Sequence, residues 1–384
     1  MFSKESITLL IMLTIMLFSP ALYSMGISVV VMELFLIFLS FIFLAQIRFF
    51  KVNLICTLLF LLVLIDKTND LIYEVSLTNI GPIVYAVCIT LVFNNIKEKT
   101  EKDFLRIFTA LLLIATIFNI VYCVTLGSAP LRSLDRDVSA MLMLYSMLYF
   151  YYGKYKWPIM LLSIIICVVV LEARTMVLSY GVFFVGYYLF KKHSRVKLKK
   201  AGLILEFLFS LFVIYLGIQT EMLLGPGGSE GGVDFSGRGY IWGAALSTFF
   251  SGSLTDILFG MPSNPGNLNH LFGYDMFEYD SLNESIGKLL TAGHFHNTVV
   301  YYIFNTGVVG TIILFSIFYK ALKRFGFNNE NYNIFNALFL VALFNGKSIT
   351  SIYIISTLLM FILFIKLPNP RDKSFNNTIY DNSR

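Results

Sequence analysis

Apolar residues in this chain gather into long unbroken runs, and polar residues gather between them. The runs fall at 7–23, 27–47, 52–65, 80–95, 104–126, 138–152, 157–172, 175–190, 201–218, 297–319, 332–345 and 348–367. Most approach the ~20 apolar residues that carry a helix through a bilayer core. In lipid every backbone N–H and C=O must bond within its own segment, so a continuous apolar run implies a helix. A transmembrane barrel needs ~10-residue segments of alternating polarity, and that alternation is absent. The pattern predicts an all-α polytopic membrane protein with about 12 transmembrane helices. The long connection over 219–296 predicts one large extracytoplasmic loop carrying short interfacial helices near 240–250 and 281–290, where Tyr240 and Trp242 suit the headgroup level.

Composition supports a membrane class. Of the 384 residues 57% are hydrophobic and 14% charged, against about 25% charged in soluble domains. Under alternation of the twelve runs, 22 of the 29 Lys and Arg fall on one side and 7 on the other. Cytoplasmic connections carry such an excess, so both termini are expected to be cytoplasmic. The net charge of +6 reflects this bias and does not point to nucleic acid. Five parts follow: N-terminal membrane helices (1–174), central membrane helices (175–218), the loop (219–296), C-terminal membrane helices (297–367) and a polar cytoplasmic tail (368–384). Cys56, Cys88, Cys123 and Cys167 lie inside apolar runs and read as small core residues, neither disulfides nor metal ligands.

Few residues are candidates for chemistry. Arg174 sits in LEARTM between two runs, where a charge needs an anionic partner or water; snorkelling, or pairing with Glu172, serves equally. Arg238 in SGRGYIWGAAL is either a guanidinium fork for phosphate or an ion-pair partner of Asp234. His296 in AGHFHNTVV stands where the loop re-enters the membrane and suits a base or donor. It is also open to a structural role. Glu33 and Glu206 lie within runs, where acids mark proton or ion paths or are simply paired. Asp135 and Asp137 form a DxD that fits a metal–phosphate site or a solvated turn. No Walker A, GxGxxG or HExxH motif occurs. No metal and no cofactor are expected.

Four segments in order resemble the O-antigen polymerase and O-antigen ligase superfamily. They are Arg174–Thr175; Ser236, Arg238 and Trp242; ILFGMPSNPG with Gly260; and His296–Asn297 opening a run with Gly307 and Gly310. The resemblance implies an enzyme, a metal-independent glycosyltransferase acting on an undecaprenyl-pyrophosphate-linked oligosaccharide at the outer leaflet of the bacterial inner membrane. It implies that Arg174 and Arg238 hold the pyrophosphate and that His296 assists the acceptor, with Trp242 and Asn297 beside the substrate. The implied partners are that lipid-linked glycan, membrane lipid and a chain-length regulator, with no nucleic acid. The divergent first half favours a polymerase. A ligase acting on lipid A core is the first alternative, and a multi-span transporter or flippase using Glu33 and Glu206 is the second.

Overall fold

The computed structural model describes residues 3–47, 54–73, 102–126, 131–192 apart from 172, 196–224, 238–261, 297–324 and 329–345, with a few positions between 84 and 95 and residue 362. Among the described residues the regular secondary structure is helical. In chain order the helices are α1 (Lys4–Ser24), α2 (Val29–Ala45), α3 (Leu54–Tyr73), α4 (Lys102–Leu126), α5 (Leu131–Tyr152) and α6 (Lys156–Ile165, extended by a π turn, Ile166–Val170). Then come α7 (Arg174–Lys192), α8 (Val196–Leu224), α9 (Arg238–Ser251), α10 (Leu254–Phe259), α11 (Thr298–Arg324) and α12 (Asn329–Asn345).

The expected architecture of about a dozen spans with one large outer loop is corrected here. Among the described residues, four helices are long and apolar enough to cross a membrane: Lys4–Leu22, Phe104–Tyr122, Lys199–Thr220 and Thr298–Lys320. Shorter apolar helices lie at Val30–Ala45, Thr57–Asp66, Lys156–Val170, Thr175–Leu189 and Ile241–Ser251. With these apolar helices the protein is of a membrane-associated kind. Two of the expected spans turn out to be interior helices. The run 138–152 belongs to α5, whose residues from Asp137 to Leu144 are all buried. The run 332–345 belongs to α12, buried continuously from Asn331 to Leu343. A helix apolar all round is either lipid-facing or enclosed by protein, and these two are enclosed. Of the expected loop, α9 and α10 are described, and they pack on the bundle; the helix expected over 281–290 lies outside the described residues.

Lipid is as apolar as leucine, so helices in it associate through close packing and hydrogen bonds. Such bonds recur here. Asn119 on α4 donates through Nδ2 to the Leu17 carbonyl of α1 (3.2 Å) and to Ala115 (2.7 Å). Thr8 near the start of α1 bonds Gln46 just past the end of α2 (3.3 Å), which sets α1 and α2 antiparallel. On α12, the Tyr332 hydroxyl donates to the Lys199 carbonyl (2.8 Å) and Asn333 Nδ2 donates to Tyr151 Oη (2.9 Å). Thr298 at the start of α11 donates to the Ala342 carbonyl near the end of α12. Helix α8 therefore runs parallel to α12, while α5 and α11 run antiparallel to it. Helix α12 touches α5, α7, α8 and α11, which makes it the centre of this half of the molecule. The outward face of α8 carries Ile204, Leu205, Leu208, Phe212 and Tyr215, all exposed, whereas Glu206, Ser210 and Ile214 are buried.

Candidate functional site

The four spans share a charge pattern that places their ends. Lys4, then Lys102 and Arg106, then Lys197, Lys199 and Lys200 stand at the starts of α1, α4 and α8, and Lys320, Lys323 and Arg324 stand at the end of α11. The opposite ends carry no Lys or Arg. The start of α11 is thus opposite the cation-rich side.

One buried polar group lies near that end. Tyr301 of α11 donates its hydroxyl to Asp66 Oδ1 of α3 at 3.2 Å. Asp66 is 3% exposed and Tyr301 9%. One helical turn on from Tyr301 lies Asn305, also buried, with its amide beside the Tyr301 hydroxyl. The spacing of four puts the phenol and the amide on one face of α11. Helix α3 packs along α11, and Leu59, Leu62 and Val63 bury an apolar face directly before Asp66. A carboxylate in such surroundings is stabilised mainly by the donor it meets, because burial without a partner costs several kcal/mol, roughly. Chemically, a carboxylate and a phenol in contact can pass a proton between them, and the neighbouring amide offers both a donor and an acceptor to a hydroxyl-bearing group.

The same stretch of α11 is broken and clamped. Gly307 has φ 64 and ψ −166 within α11, and Gly260, just past α10, has φ 90. Met261 N donates to the Phe304 carbonyl at 2.7 Å. A Cβ on Gly260 would fall on the Asn305 backbone, and one on Gly307 on the Leu258 backbone. Two chain segments here touch main chain to main chain, which only glycine permits. Non-helical backbone at membrane depth is tolerated where protein covers it, and α10 provides the cover. The clamp fixes the height of Asn305 and Tyr301 against α3.

Of the residues expected from sequence, Arg174 is the first residue of α7 and Arg238 the first of α9. Arg238 is half-buried and Trp242 buried. Helix α7 packs against α12, α5 and the π turn, whereas α9 packs against α8, α10 and α11, so the two arginines open helices with different neighbours. Asn297 is fully buried and caps α11: its Oδ1 accepts from Val299 N (2.9 Å) and Val300 N (3.2 Å), and its Nδ2 donates to Ser210 Oγ (3.4 Å). Capping absorbs its side chain. His296 lies outside the described residues. Asp137 is buried on α5, which corrects the solvated turn expected at DxD. Among the described residues no group of three His, Cys, Asp or Glu is placed to hold a metal. Glu33 and Glu206 are buried on α2 and α8. Sequence reasoning missed Asp66 and Tyr301. The available signal was Asp66 closing an apolar run while helix-forming residues continue to Tyr73.

No protein-family model matches this chain, and no curated protein or solved structure is similar to it. The resemblance to the O-antigen polymerase and ligase superfamily is accordingly withdrawn. That superfamily requires about twelve spans, and the described residues hold four. The polymerase and ligase functions built on it fall with it, as does the glycosyltransferase identity, and the multi-span transporter or flippase falls on the four spans.

Proposed function

We propose that the protein is a membrane-integral enzyme that acts without a metal on a lipid-borne, phosphorylated substrate, with Asp66 and Tyr301 as its proton-handling pair. The observation carrying this reading is the buried Tyr301–Asp66 hydrogen bond, joined across α3 and α11 beside the buried Asn305 amide. An ionisable side chain enclosed among apolar helices is expensive to keep and is a functional residue by default. Support for a phosphorylated substrate comes from Arg238. It opens α9, which packs on α11, so a guanidinium fork and the partial positive charge of a helix start belong to the same assembly. Support for a lipid-borne one comes from the exposed Phe250, Leu254 and Phe259 along α9 and α10. The cationic ends of all four spans favour an orientation with the N-terminus on the cytoplasmic side. The pair then belongs to the outer half. Glycan polymerisation, ligation and transport form no part of this reading.

The test is a lipid extract. Deleting the gene should change the pool of polyprenyl-phosphate-linked compounds seen by mass spectrometry. Asp66→Asn and Tyr301→Phe, present at normal membrane levels, should reproduce that change. Arg238→Lys should reproduce it too, since lysine keeps the charge and loses the fork; loss of one such donor costs ~10²-fold in turnover. Extracts from the deletion strain indistinguishable from wild type would overturn the proposal.

A further inference from the structure

The spans α8 and α11 run antiparallel, and each packs on α12. They meet each other through side chains. At the cation-rich end, Lys200 Nζ donates to Tyr319 Oη at 3.0 Å and lies 4.6 Å from the centre of the same ring. Deeper in the bundle, the Phe207 and Phe315 rings meet edge to face with centres 4.3 Å apart. The two helices carry matching stripes. Lys200, Ile204, Phe207 and Leu211 follow one another along α8 at spacings of four, three and four, and Tyr319, Phe315, Ile312 and Val308 repeat those spacings backwards along α11. Such spacing puts each set on one helix face. Ile204, Leu211, Ile312 and Val308 are exposed, while Phe207 and Phe315 are half-buried. The stripes therefore border an open apolar groove with a lysine at its mouth. We propose that this groove holds one anionic phospholipid of the cytoplasmic leaflet, its phosphate on Lys200 and an acyl chain between the two stripes.

Length and charge together select this occupant. Each stripe rises about 16 Å along its helix, and one leaflet of a ~30 Å hydrocarbon core is about 15 Å deep. The groove thus matches one acyl chain and its headgroup. An ammonium has three donors. Lys200 uses one on Tyr319, and that bond holds its long side chain at the mouth of the groove with the other two left for a phosphate. Lys320, next to Tyr319, is exposed. Lys197 and Lys323 stand one turn outward from Lys200 and Tyr319 on their helices. Basic pockets between membrane helices on the cytoplasmic side bind anionic headgroups. A zwitterionic headgroup would bring its own cation to a lip that is already cationic. A second copy of the chain, related by a two-fold axis along the membrane normal, would set these lysines against their own counterparts. The groove mouth is at the opposite end of α11 from Tyr301, so this lipid is separate from the substrate of the Asp66–Tyr301 pair, and neither reading depends on the other.

The experiment uses the purified full-length chain in phosphatidylcholine nanodiscs, with phosphatidylglycerol replacing a rising fraction of the lipid. Ligand binding to the native state raises the melting temperature by mass action, so phosphatidylglycerol should produce a saturable rise. Lys200→Gln should remove at least half of that rise. Tyr319→Phe keeps the ring and loses the hydroxyl that positions Lys200, so it should move saturation to a higher fraction of phosphatidylglycerol. Lys4→Gln removes an equal charge from an exposed position on the same side and should keep the full rise. If Lys200→Gln fails to fold, Lys320→Gln, at an exposed position, replaces it with the same expected loss. Equal melting at every lipid composition would overturn the proposal. So would a Lys200→Gln protein that keeps the full rise, or a Lys4→Gln protein that loses as much. The same rise from inorganic phosphate in phosphatidylcholine alone would overturn it too, by making the site one for a free anion.

Discussion

Gly260 and Gly26 allow the close contact between α10 and α11 to be weighed against backbone strain alone. Both have left-handed backbone, with φ 90 and 89. They differ in surroundings: a Cβ on Gly26 meets nothing within 4 Å, while one on Gly260 collides with the Asn305 and Thr306 main chain. Alanine at Gly26 should therefore cost only the left-handed penalty, about 1–2 kcal/mol. Alanine at Gly260 bears at least that penalty, since its ψ of 172 puts it in a region essentially reserved for glycine, plus the displacement of α10 from α11, about 1–3 kcal/mol more by analogy with overpacking. At ~2 °C per kcal/mol for a chain of this size, the expected losses in melting temperature are roughly 2–4 °C for Gly26→Ala and 4–10 °C for Gly260→Ala. Thermal unfolding of the detergent-purified variants, followed by intrinsic fluorescence, provides the measurement. Gly307→Ala should behave like Gly260→Ala, because its Cβ would meet the Leu258 backbone. Equal losses at Gly26 and Gly260 would refute the claim that the two segments touch main chain to main chain.

Two further outcomes are expected. Asn119→Leu removes both bonds from that side chain and unties α4 from α1; since side-chain bonds in membrane bundles average ~0.6 kcal/mol, melting should fall by only a degree or two, and a loss above 5 °C would mean that Asn119 has some larger role. A reporter fused after residue 192 should read as cytoplasmic and one after residue 224 as external, because the cationic start of α8 is held inside; the reverse pattern would invert the orientation of every span.

The sequence was most informative about the four helices long and apolar enough to cross a membrane. The runs at 7–23, 104–126, 201–218 and 297–319 correspond to α1, α4, α8 and α11, and an intramembrane acid at 206 was visible at once. It misled at α5 and α12. An enclosed helix has no face in water and so shows the same unbroken apolar run as a lipid-facing one. Its polar residues, such as Ser139 and Ser146 on α5 and Asn331, Asn333 and Asn336 on α12, were the clue that protein lay on every side. The Asp66–Tyr301 contact was invisible for a different reason: it joins positions 235 apart, and no local periodicity encodes such a meeting. Asn297 shows the converse. Its setting before Thr-Val-Val is a helix-start signal, and capping explains the residue without a substrate.

The enclosed position of α12 has a consequence for how the molecule is made. This helix is among the last described segments to leave the ribosome, yet α5, α7, α8 and α11 all pack against it. Until residues 329–345 emerge, Tyr151, Lys199, Glu206 and Thr298 are without their α12 neighbours, and the four surrounding helices enclose nothing. Assembly of this half must then wait until α12 has emerged, with the earlier helices held in lipid or by a chaperone. A chain cut short before residue 329 is a natural target for membrane proteases, because it displays buried polar side chains to lipid.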